Sequence, residues 1–209
     1  MLNLLKVSPQ LFFLYIIAIL IALSVHEFAH ALVAAWRGDD TARLMGRLTL
    51  NPAAHVDGLG ALSFLLLGFG WGKPVPVNGA VLKNQRKDFL LIALAGPFSN
   101  LILAIISALL LKGLLLFLPF ENLLIIFLTI LATLNLLLMM FNLLPLPPLD
   151  GFNLLAYFLP NKYRFLVARY GYWLFVVLLV LSIAGDFSVF SWMYTIVEWF
   201  FRLFNLPLI

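Results

Sequence analysis

Ser24-Val25-His26-Glu27-Phe28-Ala29-His30-Ala31 is the stretch on which the reading of this chain turns. It lies inside Leu11 to Ala35, a continuous apolar run long enough to cross a hydrocarbon core of about 30 Å. A run of this kind is helical in lipid, because every backbone polar group must be satisfied within the segment. Residues four apart then share a face, so the imidazoles of His26 and His30 can reach one metal ion. Glu27 projects at an adjacent angle, where a carboxylate can take a proton from water activated by such an ion. The chain has three histidines, and two of them sit here with a glutamate. Ionisable groups inside a membrane are costly, so a functional role outweighs mere helix pairing.

Outward from that stretch, composition gives the solvent. Of 209 residues, 64% are hydrophobic and 11% charged, against roughly 45–50% and about 25% in soluble domains. A lipid bilayer must therefore be a partner. The net charge of +4 is spread over short connections between apolar runs, a pattern that sets membrane orientation and does not build a nucleic-acid surface. There is no cysteine, which excludes thiolate ligands. Neither a linker nor an internal repeat divides the chain, and residues 1–209 read as one membrane-embedded domain. The first apolar run is too long for a signal peptide's core.

Further long apolar segments run from Phe89 to Leu118, from Leu123 to Leu144, and around Tyr172 to Ala184. Gly58 to Gly72 is short and glycine-rich, and reads as re-entrant. Thr41 to Leu50 has a β-compatible composition, and Lys73-Pro74-Val75-Pro76-Val77-Asn78-Gly79 predicts an edge strand entering a turn. A short helix is expected from Gly151 to Leu159, and an aromatic interfacial or membrane helix from Phe187 to Phe204. The expectation is an all-α polytopic membrane protein with about four long transmembrane helices, a re-entrant segment and a small cytosolic-side β element.

With Gly58–Gly72 re-entrant, one side holds Arg37, Arg43, Arg47, Lys73, Lys83, Arg86, Lys87, Lys162, Arg164 and Arg169, and the other Lys6, Lys112 and Arg202. That asymmetry puts the first group in the cytosol. His30 lies seven residues before Arg37, so a metal there would be about 10 Å inside the cytosolic boundary.

A catalytic zinc takes three protein ligands and leaves one position open. The residues leave three candidates for the third ligand: Asp150, His55 and Asp57. Asp150 follows a proline-rich break in an apolar segment, where irregular backbone is tolerated only beside a cavity. It could equally cap the short helix that follows.

At these residues the chain resembles the site-2 protease family of intramembrane zinc metalloproteases. The resemblance rests on His26-Glu27-Phe28-Ala29-His30, on Gly96-Pro97-Phe98-Ser99-Asn100, and on Asn142 to Gly151 with its Pro145, Pro147, Pro148 and Asp150. With no inserted PDZ domain and no CBS tail, the likeness is to a compact prokaryotic member. The resemblance implies one Zn²⁺ held by His26, His30 and Asp150, with Glu27 as catalytic base. It implies that Asn142 stands near the metal and steadies the substrate carbonyl or its oxyanion. It also likens Lys73 to Asn78 to a membrane-associated β region that pairs with an extended substrate. The expected activity is hydrolysis of peptide bonds in or near transmembrane segments of protein substrates. Asn100 is expected to serve the carbonyl freed by Pro97. The rival readings are a membrane metal-binding protein or transporter, in which Glu27 has no role, and a scaffold that binds substrates without cutting them. The sequence leaves oligomeric state open.

Overall fold

The computed structural model describes residues 1–184 and 190–207, with 183 and 184 by backbone alone. Among the described residues every regular element is helical: α1 (Leu2–Val7), α2 (Pro9–Trp36), α3 (Thr41–Leu44), α4 (Gly58–Leu67), α5 (Gln85–Leu114), α6 (Leu123–Asn142), α7 (Asp150–Phe158), α8 (Asn161–Ala184) and α9 (Trp192–Leu203). α2, α5, α6 and the Asn161–Ser182 part of α8 are long and apolar enough to cross a membrane. The aromatic helix expected from Phe187 is α9, and residues 187–189 of that expectation lie outside the described residues.

Local chemistry sets the helix ends. Ser8 accepts a hydrogen bond from the Leu11 amide at 3.4 Å, and Pro9 stands at the first turn, so α2 begins two residues before the apolar run. Asn84 accepts from the Lys87 amide, which draws the polar residues 85–88 into the first turn of α5. Asn122 accepts from the Leu124 amide and starts α6. α4 has ten residues, about 15 Å of helix. That is half the hydrocarbon thickness, too short to cross it as a straight helix. Asp57 caps its start by accepting from the Gly60 amide at 2.9 Å, and Gly68 in the left-handed region ends it.

The expected β element does not form among the described residues. One isolated bridge pairs Val56 with Gly72, and the Lys73 amide donates to the His55 carbonyl at 2.7 Å. The reason lies in the segment itself. Pro74 and Pro76 have no N–H to give a ladder. The Lys73 and Pro74 carbonyls are taken instead by the guanidinium of Arg47, which also donates to the Ala54 carbonyl. The β-compatible stretch after Thr41 likewise becomes the single turn of α3 followed by irregular turns.

Small residues let the long helices approach. Ala18, Ala22, His26, His30 and Ala34 form one buried row along α2 at spacing four. Asp88, Ile92, Gly96, Asn100, Ala104 and Ala108 form a second along α5. The rows run antiparallel and interdigitate. Toward the C-terminal end of that row, Ala104 and Ala108, with Leu111, pack with Ile125, Leu128, Ala132 and Leu136 of α6, a core that α9 closes with Met193, Val197 and Phe201. α8 is the least buried of the four spans. Arg37 at the end of α2 donates from Nε to Asp88 at 2.6 Å. Arg86 at the start of α5 bonds Asn161 at the start of α8. These ties put the C-terminal end of α2 and the N-terminal ends of α5 and α8 on one side of the bundle.

The connection between α2 and α5 is pinned on the same side by two buried polar groups. Besides Arg47, Asp39 accepts from the Thr41 amide at 3.0 Å and the Asn78 amide at 2.6 Å. Burial alone would push the Asp39 carboxyl up, but these bonds outweigh it and hold it below the ordinary carboxylate range. Its contribution is therefore complete above the ordinary carboxylate pKa and is lost only as pH falls through the depressed value. Hydrogen bonds to charged groups contribute about 1.5–3 kcal/mol each. Arg47→Ala should accordingly speed proteolysis between residues 45 and 80 at neutral pH, and Arg47→Lys should restore little, since an ammonium lacks the planar fork. Proteolysis at the unmodified rate in both variants would remove Arg47 from this role.

Candidate metal centre

The rows of α2 and α5 meet at the two imidazoles. His26 Nε2 and His30 Nε2 lie 3.0 Å apart, and Asp150 Oδ2 stands 3.1 Å from the first and 3.2 Å from the second. α2 supplies the histidines because residues four apart share a face. Asp150 arrives from the first residue of α7, brought back across the bundle by the turn that follows α6. Leu149, not Asp150, occupies the capping position of α7 and makes no side-chain cap, so the carboxylate is given to the histidines. Gly151 permits this return: a Cβ there would collide with the Leu143 and Leu144 carbonyls.

The outer nitrogens decide what the inner ones offer. His30 Nδ1 donates to the Ile92 carbonyl at 2.6 Å, and a carbonyl can only accept. His26 Nδ1 lies 2.5 Å from Asn100 Oδ1 and donates to it. With both Nδ1 atoms carrying protons, a neutral His26 and His30 each turn an Nε2 lone pair toward the carboxylate oxygen. Three electron-rich atoms on a triangle of 3.0–3.2 Å sides repel one another until a cation lies among them. Ligands about 2.0–2.1 Å from a tetrahedral zinc lie about 3.3 Å apart. The donor set, two imidazoles and one carboxylate, therefore fits a single zinc ion with one position left open. Gly96 completes the cradle, for a Cβ there would run into both imidazoles. The side chains of His26 and His30 are 4% and 9% exposed and that of Asp150 20%, so the carboxylate is the most exposed of the three.

Glu27 is buried beside His26 on α2. Asn142 ends α6, half-buried, with its amide donating to the Leu138 carbonyl of its own helix at 3.0 Å. His55 and Asp57 are not drawn in. His55 is fully buried and donates from Nε2 to the Thr49 carbonyl, and Asp57 caps α4. Asn100 departs from its expected role. Its amide donates to the Ala22 carbonyl at 3.2 Å and to Asn135 at 2.7 Å, while its oxygen serves His26. A polar residue four after Gly96 on the buried row was the available signal for that part. An apolar groove of about 590 Å³ lies alongside, between α2, α5 and α6, with Val33, Leu94, Phe98 and Met139 in its walls. None of the three triangle residues lines it.

The family model for peptidase family M50 matches residues 14–123. A Bacillus subtilis (strain 168) protein named "Putative zinc metalloprotease YwhC" is 43% identical over 173 residues, 79% of this chain and 79% of that protein. Two proteins named "Putative zinc metalloprotease Rip2" are also similar. The one from Mycobacterium tuberculosis (strain ATCC 25618 / H37Rv) is 36% identical, covering 88% of this chain and 71% of that protein. The one from Mycolicibacterium smegmatis is 32% identical, covering 91% and 73%. No solved structure matches.

The cradle yields a direct test. Gly96→Ala should lower bound zinc, measured by metal analysis of the purified chain, by at least about tenfold, as expected when ligand placement is disturbed. Full zinc content in that variant would mean that the close approach at Gly96 is not needed.

Proposed function

The chain belongs to peptidase family M50, and from that premise we propose that His26, His30 and Asp150 hold one zinc ion and that Glu27 is the catalytic base of an intramembrane metalloprotease. The protein is a zinc metalloprotease of the site-2 type, and its substrates are peptides. The observation that supports the assignment of residues is the convergence of two Nε2 lone pairs and one carboxylate oxygen. A zinc ion held there supplies Lewis acidity.

The remaining chemistry falls to the chain's own groups. Glu27 takes a proton from a water molecule as its oxygen attacks the scissile carbonyl carbon. Asn142, on the stretch that leads to Asp150, donates an N–H to the oxyanion as it forms. The C–N bond then breaks, and Glu27 returns the proton to the leaving amine nitrogen. Burial of Glu27 and both histidines keeps bulk water out, so water arrives past Asp150. The finer reading is that the substrates are transmembrane protein segments. A helix binds its own carbonyls, so such a segment must unwind locally before attack. Residues 1–209 act in this reading as one domain, because the proposed ligands come from α2 and α7.

We place the centre toward the cytosolic face on the distribution of Lys and Arg. The absence of cysteine provides a clean background for testing this. A single cysteine at Lys87 should react with an impermeant maleimide only after the cytosolic face is exposed. Labelling from outside intact cells would reverse the orientation.

Glu27→Gln separates the protease from its rivals. It should keep its zinc and lose cleavage of a transmembrane substrate by about 10²–10⁴-fold, the usual contribution of a general base. A transporter or a scaffold would keep its function in that variant. Cleavage undiminished in Glu27→Gln would remove Glu27 from the chemistry.

A further inference from the structure

Two side-chain amides are fully buried within the bundle and lie outside the proposed ligand and base set: Asn100 of α5 and Asn135 of α6. They continue the hydrogen bond that leaves His26. Asn135 Nδ2 donates to the Leu131 carbonyl at 2.8 Å, so its oxygen is the atom turned toward Asn100. Asn100 Nδ2 donates to that oxygen at 2.7 Å and to the Ala22 carbonyl at 3.2 Å. Its own oxygen is thereby turned toward His26 Nδ1. The direction of the whole chain follows from its two backbone carbonyls, which can only accept.

We propose that Asn135 is a positioning residue for the metal centre: by holding the Asn100 amide in one orientation, it holds His26 in the tautomer whose Nε2 lone pair faces His30 and Asp150. This inference rests on the reading of the triangle as a zinc site and extends it to a third helix. The physical reason is the near-symmetry of an amide. An Asn100 turned over would present N–H to His26 Nδ1. That nitrogen would then have to accept, and the ring proton would move to Nε2, where it blocks the lone pair. In water the two orientations cost little to exchange. In this dry layer the Asn135 oxygen and the Ala22 carbonyl both penalise the wrong one, because each would be left facing an acceptor. α6 contributes no ligand, so Asn135 gives it an influence on the metal without contact.

The test uses the full chain, stripped of metal and titrated with zinc against a chelator of known affinity, with Co²⁺ absorption as the readout of coordination and melting of the metal-free chain as control. Asn100→Leu should weaken zinc binding by about 10–100-fold, the usual effect of losing a ligand's outer partner, and Asn135→Leu by roughly tenfold, since the Ala22 carbonyl still orients Asn100. Asn135→Asp should bind within about threefold of the unmodified chain, because a neutral buried carboxyl both donates to Leu131 and accepts from Asn100. The Co²⁺ spectrum should change in Asn135→Leu and recover in Asn135→Asp. Should Asn100→Leu fail to fold, the two Asn135 variants decide the matter alone. Zinc affinity and Co²⁺ spectrum unchanged in Asn135→Leu would overturn the proposal, as would equal weakening by Leu and Asp. Failure of the unmodified chain to bind zinc would instead overturn the metal reading.

Discussion

The structure depends on how closely α5 approaches α2 at Gly96. With no side chain there, the two imidazoles lie against the α5 backbone itself. The Ile92 carbonyl then falls within reach of His30, and Asn100 within reach of His26 and the Ala22 carbonyl. In lipid no hydrophobic force drives helices together, and small residues contribute by allowing such contact. Ala34 against Ile92, and the Ala22 carbonyl against Asn100, extend the approach on either side of the histidines. The packing that joins the helices is thus the same packing that satisfies polar groups which could not otherwise reside in a membrane.

The third corner of the triangle comes from elsewhere in the chain, and the course of the backbone brings it there. The proline-rich turn after α6 leads the chain back, and Gly151 lets α7 start against the Leu143 and Leu144 carbonyls. Asp150 thereby reaches the histidines from the more open side. The result is a triangle whose two imidazoles are closely covered and whose carboxylate is the most exposed of the three.

The connection between α2 and α5 shows how an irregular segment is held without a sheet. Arg47 gathers carbonyls from two stretches of backbone, and Asp39 gathers amides. One side chain of each sign replaces the ladder that Pro74 and Pro76 forbid. Arg37 and Asp88 join the helices at the same level, so the ends of α2 and α5 are tied where the apolar rows stop.

Much of this was legible without coordinates. The spans, the short α4, the pairing of His26 with His30 and the aromatic last helix all follow from local rules: apolar length against bilayer thickness, and a helical period that puts residues four apart on one face. The choice among Asp150, His55 and Asp57 was not local. Each is a polar residue at a turn; the family resemblance implied Asp150, and the return of α7 is what physically separates the one that meets the histidines from the one that caps α4 and the one that bonds Thr49. The β element failed for a related reason, since extended composition describes a strand's backbone but not whether its carbonyls are already claimed by Arg47. Asn100 and Asn135 are the sharpest case. In sequence they are two polar residues in two apolar helices, 35 apart. What they do depends on which backbone carbonyls stand opposite, and that is set only when three helices pack.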